Sequence, residues 1–136
     1  MVPLCNYEDG WRAFSSHCYK FFQQQRTWAK AKTHCEALDS HLVTIHSKDE
    51  NEFVLSLIPA SGGGDIWMGA NDLATDGTWV WVDGEEWGQY TNWGPDEPNG
   101  GIKEQCLEMF HNTGTWNDLD SNKLKFSMCK MRALAG

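Results

Sequence analysis

Apolar residues recur at helical spacing only between about residues 27 and 58 of this chain, and that confinement limits what it can fold into. Thr27 stands where a helix cap is wanted. Trp28, Ala31, Cys35 and Leu38 follow on one face, with Lys30, Lys32 and Glu36 outward, which predicts a first helix from about Thr27 to Leu38. Ser47 with Glu50 three residues on is a capping-box pair ahead of Phe53, Val54, Leu57 and Ile58, so a second helix should end near Pro59. Between them, HLVTI reads as a short strand.

Elsewhere the pattern is of strands and turns. Gly10 to Phe22 mixes aromatics with a polar centre, as paired strands do. Ser61 to Gly64 forms a flexible turn, and IWMGA after it reads as a buried strand. TWVWV, at residues 78 to 82, lies between the turn signals Asp76-Gly77 and Asp83-Gly84 and reads as a hairpin strand. KFSMCK is the last strand. From about Gly88 to Asn122 the chain is rich in Gly, Asn, Asp, Pro and Trp with little period, which predicts a long loop. Loops that long in compact domains are functional or disordered, and the tryptophans oppose disorder. With no internal repeat and no low-complexity linker, the 136 residues suit a single domain over 1–136.

No run approaches the roughly 18 to 20 apolar residues of a membrane helix, so a soluble chain without membrane contact is expected. Met1 to Leu4 is too short for a secretory leader, and any leader is expected to have been removed. Five cysteines with no pair of CxxC motifs favour disulfides over structural zinc, and hence an oxidising, extracellular setting. Five is odd, so one thiol is free, pairs with another chain, or has lost its partner. A net charge of −8 argues against nucleic acid or anionic membrane as partner and suits hard cations, although a solvated acidic surface has the same sign.

Within the long loop stand Glu97-Pro98-Asn99, then Glu104, then Trp116-Asn117-Asp118. Calcium takes about six to eight oxygen ligands from carboxylates, amides, backbone carbonyls and water. Glu97, Asn99, Glu104, Asn117 and Asp118 offer side chains of that kind, and three carboxylates exceed the charge of a dication by one. A cis bond before Pro98 would turn both flanking side chains the same way. Taken alone, EPN is also an ordinary turn, and WND is also a core tryptophan followed by one.

Taken together, GWxxFxxxCYKFF, the TWxxAxxxC helix, HLVTIHS, WMGAND, EPN, a glutamate two residues before a cysteine, WND and a terminal CK cover nearly the whole chain. In that order they resemble the C-type lectin-like family. The resemblance implies an α+β fold, with two helices packed on small antiparallel sheets and a long calcium-binding loop. It implies that Glu97, Asn99, Glu104, Asn117 and Asp118 hold one calcium ion and bind sugar, two adjacent hydroxyls ligating the ion while the same side chains hydrogen-bond them. It implies disulfides Cys5–Cys18 and Cys35–Cys129. Cys106 is left unpaired, because Ser121 occupies its partner's place. Asp72 and Asp76 match two acidic ligands of the family's auxiliary calcium site, but Gly100 and Gln105 replace two others, so that site should be weak or empty.

EPN, rather than QPD, implies sugars with equatorial vicinal hydroxyls, such as mannose, glucose, N-acetylglucosamine or fucose, over galactose. Gly100-Gly101 stands where galactose binders tend to carry a Trp. An aromatic elsewhere can reverse that preference, and Trp87 and Trp93 are the residues placed to do so; Trp67, Trp79, Trp81 and Trp116 read as structural. The alternatives are a galactose-type lectin of that kind, or a lectin-like domain with a non-sugar partner. An enzyme is disfavoured: His17, His34, His41, His46 and His111 fall in no HExxH and no nucleophile motif occurs, while calcium-bound Glu97 and Glu104 would stay ionised rather than act as acids. Weak single-site affinities make a homodimer or larger assembly plausible.

Overall fold

The computed structural model describes residues 3–95, 97 and 104–135. Thr27 caps the first helix, α1 (Trp28–Ala37), its hydroxyl accepting from Lys30 N, and α1 buries Trp28, Ala31 and Cys35. Ser47 caps α2 (Lys48–Ser56) in the same way through Glu50 N. The helix stops at Ser56, short of the predicted end near Pro59, with Leu57 as its carboxyl cap.

The strands are β1 (Pro3–Leu4), β2 (Arg12–Phe14), β3 (His17–Arg26), β4 (His41–Leu42), β5 (Ile66–Asn71), β6 (Val80–Trp81), β7 (Cys106–Met109), β8 (Trp116–Leu119), β9 (Lys125–Arg132) and β10 (Leu134–Ala135). The main sheet runs β2-β3-β9-β5-β7-β8, with β4 on β9 and β6 on β5, and β1 pairs with β10. All these pairings are antiparallel except β5 with β9. The architecture is α+β, as the resemblance implies.

Two predicted strands are shorter than their sequence patterns. Of HLVTI only His41–Leu42 forms a ladder. Val43 then lies between two strands, donating to Met128 O and accepting from Gly69 N, so its backbone is satisfied without a partner strand. Of TWVWV only Val80–Trp81 pairs. The predicted loop from Gly88 to Asn122 is corrected more substantially, since it contains β7 and β8. All four residues of β7 are buried, so it shows no alternation, and β8 is too short for a period to register.

Two disulfides fasten the layers. Cys35–Cys129 joins α1 to β9 across 94 residues, and Cys5–Cys18 ties the amino-terminal segment to β3. Closing a loop as long as the first limits the denatured chain by about 4 to 5 kcal/mol. Behind α2 the capping-box prediction is modified. The Glu50 carboxylate accepts from His46 N at 2.8 Å rather than from its own cap residue. It also accepts from Tyr19 OH at 2.5 Å and Lys130 Nζ at 2.6 Å. Lys130 completes its donors on Thr44 O and Oγ1, at 3.0 and 3.1 Å.

Candidate functional site

β8 carries Asn117 and Asp118 because Trp116 anchors it. Trp116 is fully buried, and its indole N–H donates to Asn51 Oδ1 at 2.8 Å. Asn51 in turn donates to Gly114 O, which fixes the turn before the strand. Pairing with β7 sets Leu107 opposite Asp118 and Glu108 opposite Asn117. Asp118 is buried and Asn117 half-buried.

Two further segments converge on this strand pair. Trp116 N donates to Asn92 O and Gly94 N donates to Trp116 O, laying residues 92–94 along the start of β8. Glu97 N then donates to Gly94 O at 3.1 Å, a tight turn that holds the half-buried Glu97 beside it. A Cβ at Gly94 would sit 3.7 Å from Glu97 Cγ, in ordinary van der Waals contact with it. Glu104 leads into β7. Burial pushes its carboxyl above the usual value, and the charges of Asp118, Glu108 and Asp120 push the same way.

Glu104 therefore stands just before β7, close enough to Asp118 on β8 to feel its charge, Asn117 precedes Asp118 on β8, and Glu97 turns beside the start of β8. Asn99, Pro98 with the cis bond considered before it, and Gly100-Gly101 lie outside the described residues. Glu104 and Asp118 are near enough to interact, but the described carboxylates form no closed cluster. Among the described residues only His34, Cys35 and Cys129 have ligand atoms all within 4.8 Å of one another, and those cysteines are a disulfide. Three like charges repel, and a cation is what would draw them in. A cavity of about 270 Å³ lined by His17, His41, Lys130 and Arg132 among others shares no lining residue with this set.

The residue that sequence reasoning missed is Glu108. It is buried, its Oε2 accepts from Asn117 Nδ2 at 2.8 Å, and its Oε1 lies 3.3 Å from Lys125 Nζ. Burial pushes its carboxyl up, opposed by the Asn117 amide and the Lys125 ammonium. The available signal was a carboxylate in the apolar run CLEMF, two residues past a cysteine.

Just past β5, where its N–H donates to Gln105 O, Asp72 is buried and its Oδ2 accepts from Gly77 N at 2.8 Å. Burial raises its carboxyl, the Gly77 N–H opposes that, and Asp76 adds to the rise. Trp87 and Trp93, the open aromatics, are partly buried against the core. Trp87 lies 4.9 Å from Trp81 and Trp93 5.4 Å from Trp79, between ring centroids.

Cys106 is a buried free thiol on β7, pushed up to about 12 by burial, with Asp72 and Asp120 adding to the rise. A thiol reagent is expected to leave the native chain unmodified and to find one group per chain after denaturation without reductant. A covalent dimer on a non-reducing gel is the contrary result.

The model of the Lectin C-type domain matches residues 24–131, and the chain belongs to that family. The low affinity immunoglobulin epsilon Fc receptor of Mus musculus is 40% identical over 109 residues, covering 79% of this chain and 31% of the receptor. The chain thus spans under a third of that relative. Among solved structures, the carbohydrate-recognition domain of cow CD23, determined in the presence of a GlcNAc2Man3 oligosaccharide, superposes with a TM-score of 0.88 at 32% identity, covering 98% of this chain and 100% of that one. A calcium-independent type II antifreeze protein superposes at 0.90 with 26% identity, covering 98% of each.

Proposed function

We propose that residues 1–136 form one extracellular carbohydrate-recognition domain, in which Glu97, Asn99, Glu104, Asn117 and Asp118 hold a single calcium ion and bind sugar through it. The observation that carries this is the nearness of Glu104 to Asp118 across the β7–β8 pair, with Asn117 next to Asp118 on β8, Glu97 turned beside the start of that strand, and Glu104 raised by burial and by its carboxylate neighbours. Such a crowd of hard oxygens fits calcium and does not fit a soft metal. Bound there, the ion would take two vicinal sugar hydroxyls as ligands. The carboxylates accept hydrogen bonds from those hydroxyls and the asparagine amides donate to them, so each hydroxyl is recognised in both its roles.

Asp72 and Asp76 do not complete a second site in this proposal, since Gln105 brings an amide where a carboxylate would be needed. The two disulfides suit an oxidising, extracellular setting. Nothing in the arrangement assigns an enzyme's chemistry to the chain. Avidity through a dimer or larger assembly fits the weak binding of a single open site.

A glycan array run with calcium and again with a chelator tests this directly. Signal on mannose-, N-acetylglucosamine- or fucose-terminated glycans, lost with the chelator, is the expected result; signal unchanged by the chelator sinks the mechanism. In competition, free mannose should inhibit at lower concentration than galactose, because the order of acid and amide in Glu97-Pro98-Asn99 suits an equatorial pair. The packing of Trp87 and Trp93 against the core supports this, since each ring offers a sugar less surface than a free aromatic would. The opposite order of inhibition would favour the galactose-type alternative. A second reading, a lectin-like domain with a non-sugar partner, is supported by the likeness to the calcium-independent antifreeze protein, and predicts an array blank under both conditions.

A further inference from the structure

Asn117 can serve a cation only through its amide oxygen, yet a side-chain amide can face either way. What decides is the group beside it. Glu108 lies opposite Asn117 on β7, buried to 2% exposure, with Oε2 at 2.8 Å from Asn117 Nδ2 and Oε1 at 3.3 Å from Lys125 Nζ. Lys125 also lies 3.6 Å from Asp65 Oδ2, and Asp65 Oδ1 accepts from His111 N at 2.9 Å. A buried carboxylate is costly unless paired, and Glu108 is held by an amide N–H on Oε2 and an ammonium 3.3 Å from Oε1.

We propose that Glu108 is a positioning residue that sets the face of the Asn117 amide, with Lys125 dictating only what a replacement of Glu108 must turn toward it. This rests on the calcium reading above and names the residue on which that site depends beyond its own ligands. An ionised carboxylate only accepts, so it takes the amide N–H2 and leaves Asn117 Oδ1 for the ion. One Nδ2 proton is used by Glu108, and one remains for a sugar hydroxyl. Lys125 only donates, so any uncharged group in place of Glu108 must turn an acceptor toward it.

Glu108→Gln keeps size and hydrogen-bonding capacity but reverses the logic. Lys125 must draw the oxygen of the replacement amide, which turns its N–H2 toward Asn117 and forces that amide to flip. Calcium affinity, read by calorimetry, is expected to fall about 10- to 100-fold, the usual effect of losing a partner that orients a ligand. Thermal stability in chelator should stay close to that of wild type. Lys125→Met alone leaves an accepting carboxylate and should shift affinity by about threefold or less, an effect near that of a rim ion pair. Adding Lys125→Met to Glu108→Gln frees the replacement amide to turn back and should recover most of the loss. A merely structural role would make the double variant weaker than either single one.

Unchanged affinity in Glu108→Gln, or no recovery in the double variant, overturns the proposal. Wild type that binds no calcium overturns the calcium reading as well, so the two failures are distinguishable. A measurement on wild type covers the case of variants that do not fold. One Asn117 side-chain amide proton, assigned by its loss in Asn117→Asp, should exchange slowly with solvent by NMR. Both exchanging at the rate of a free amide would refute the positioning.

Discussion

Lys130→Met is expected to destabilise the fold by about 3 to 5 kcal/mol, the usual consequence of stranding one charge of a buried pair. The Lys130 and Glu50 side chains are each 8% exposed, and the ammonium supplies the 2.6 Å contact to the carboxylate. Without it Glu50 keeps donors from Tyr19 OH and His46 N but loses its only cation among the described contacts. Replacing both partners, Glu50→Leu with Lys130→Met, should recover much of the loss, because two apolar groups demand no solvation. Urea denaturation of the three variants measures this, and a single variant within about 1 kcal/mol of wild type would show that the pair is not the fastening described.

The same pair has a pH signature. Burial alone would raise the Glu50 carboxyl. The Lys130 ammonium, with the Tyr19 hydroxyl and the His46 N–H, outweighs burial and holds it below the ordinary 4.5. The folded state therefore binds this proton more weakly than the unfolded chain. The stabilisation is complete above pH 4.5 and is lost as the pH falls from there through the folded value. Wild type should lose stability across that acid window, and the double apolar variant should lack this component.

Asp118→Ala is expected to remove calcium-dependent sugar binding altogether, and Asp118→Asn to weaken it by roughly 100-fold, since calcium affinity follows the charge count of its ligands. Asp118 is 1% exposed, and its charge is among those that raise Glu104. Asp76→Ala supplies the control. It changes net charge by the same amount outside the proposed ligand set, and binding should stay within about twofold of wild type. Equal losses in the two would mean that overall acidity, rather than a site, accounts for the binding.

Much of this was legible in the residues because local physics decides it. Thr27 and Ser47 cap because a short side-chain oxygen meets an orphan N–H wherever a helix begins. Ile66 to Ala70 reads as a buried strand because it is apolar on both faces. What escaped depends on partners distant in sequence. Cys106 to Met109 looks like loop until β5 and β8 stand beside it. Glu50 looks like half of a capping box until Lys130, 80 residues away, reaches its other oxygen. Glu108 carried no motif at all, because its meaning lies in the amide it faces across two strands.

The pairing of Pro3 with Ala135 and Leu4 with Leu134 has a consequence for attachment. Both termini leave from one corner, so a tether fused to either end pulls on the same point. Copies fixed to a bead or a scaffold by one end or the other should therefore present the same face outward. Load applied through both ends together would peel that short ribbon apart residue by residue, before any force crosses the main sheet.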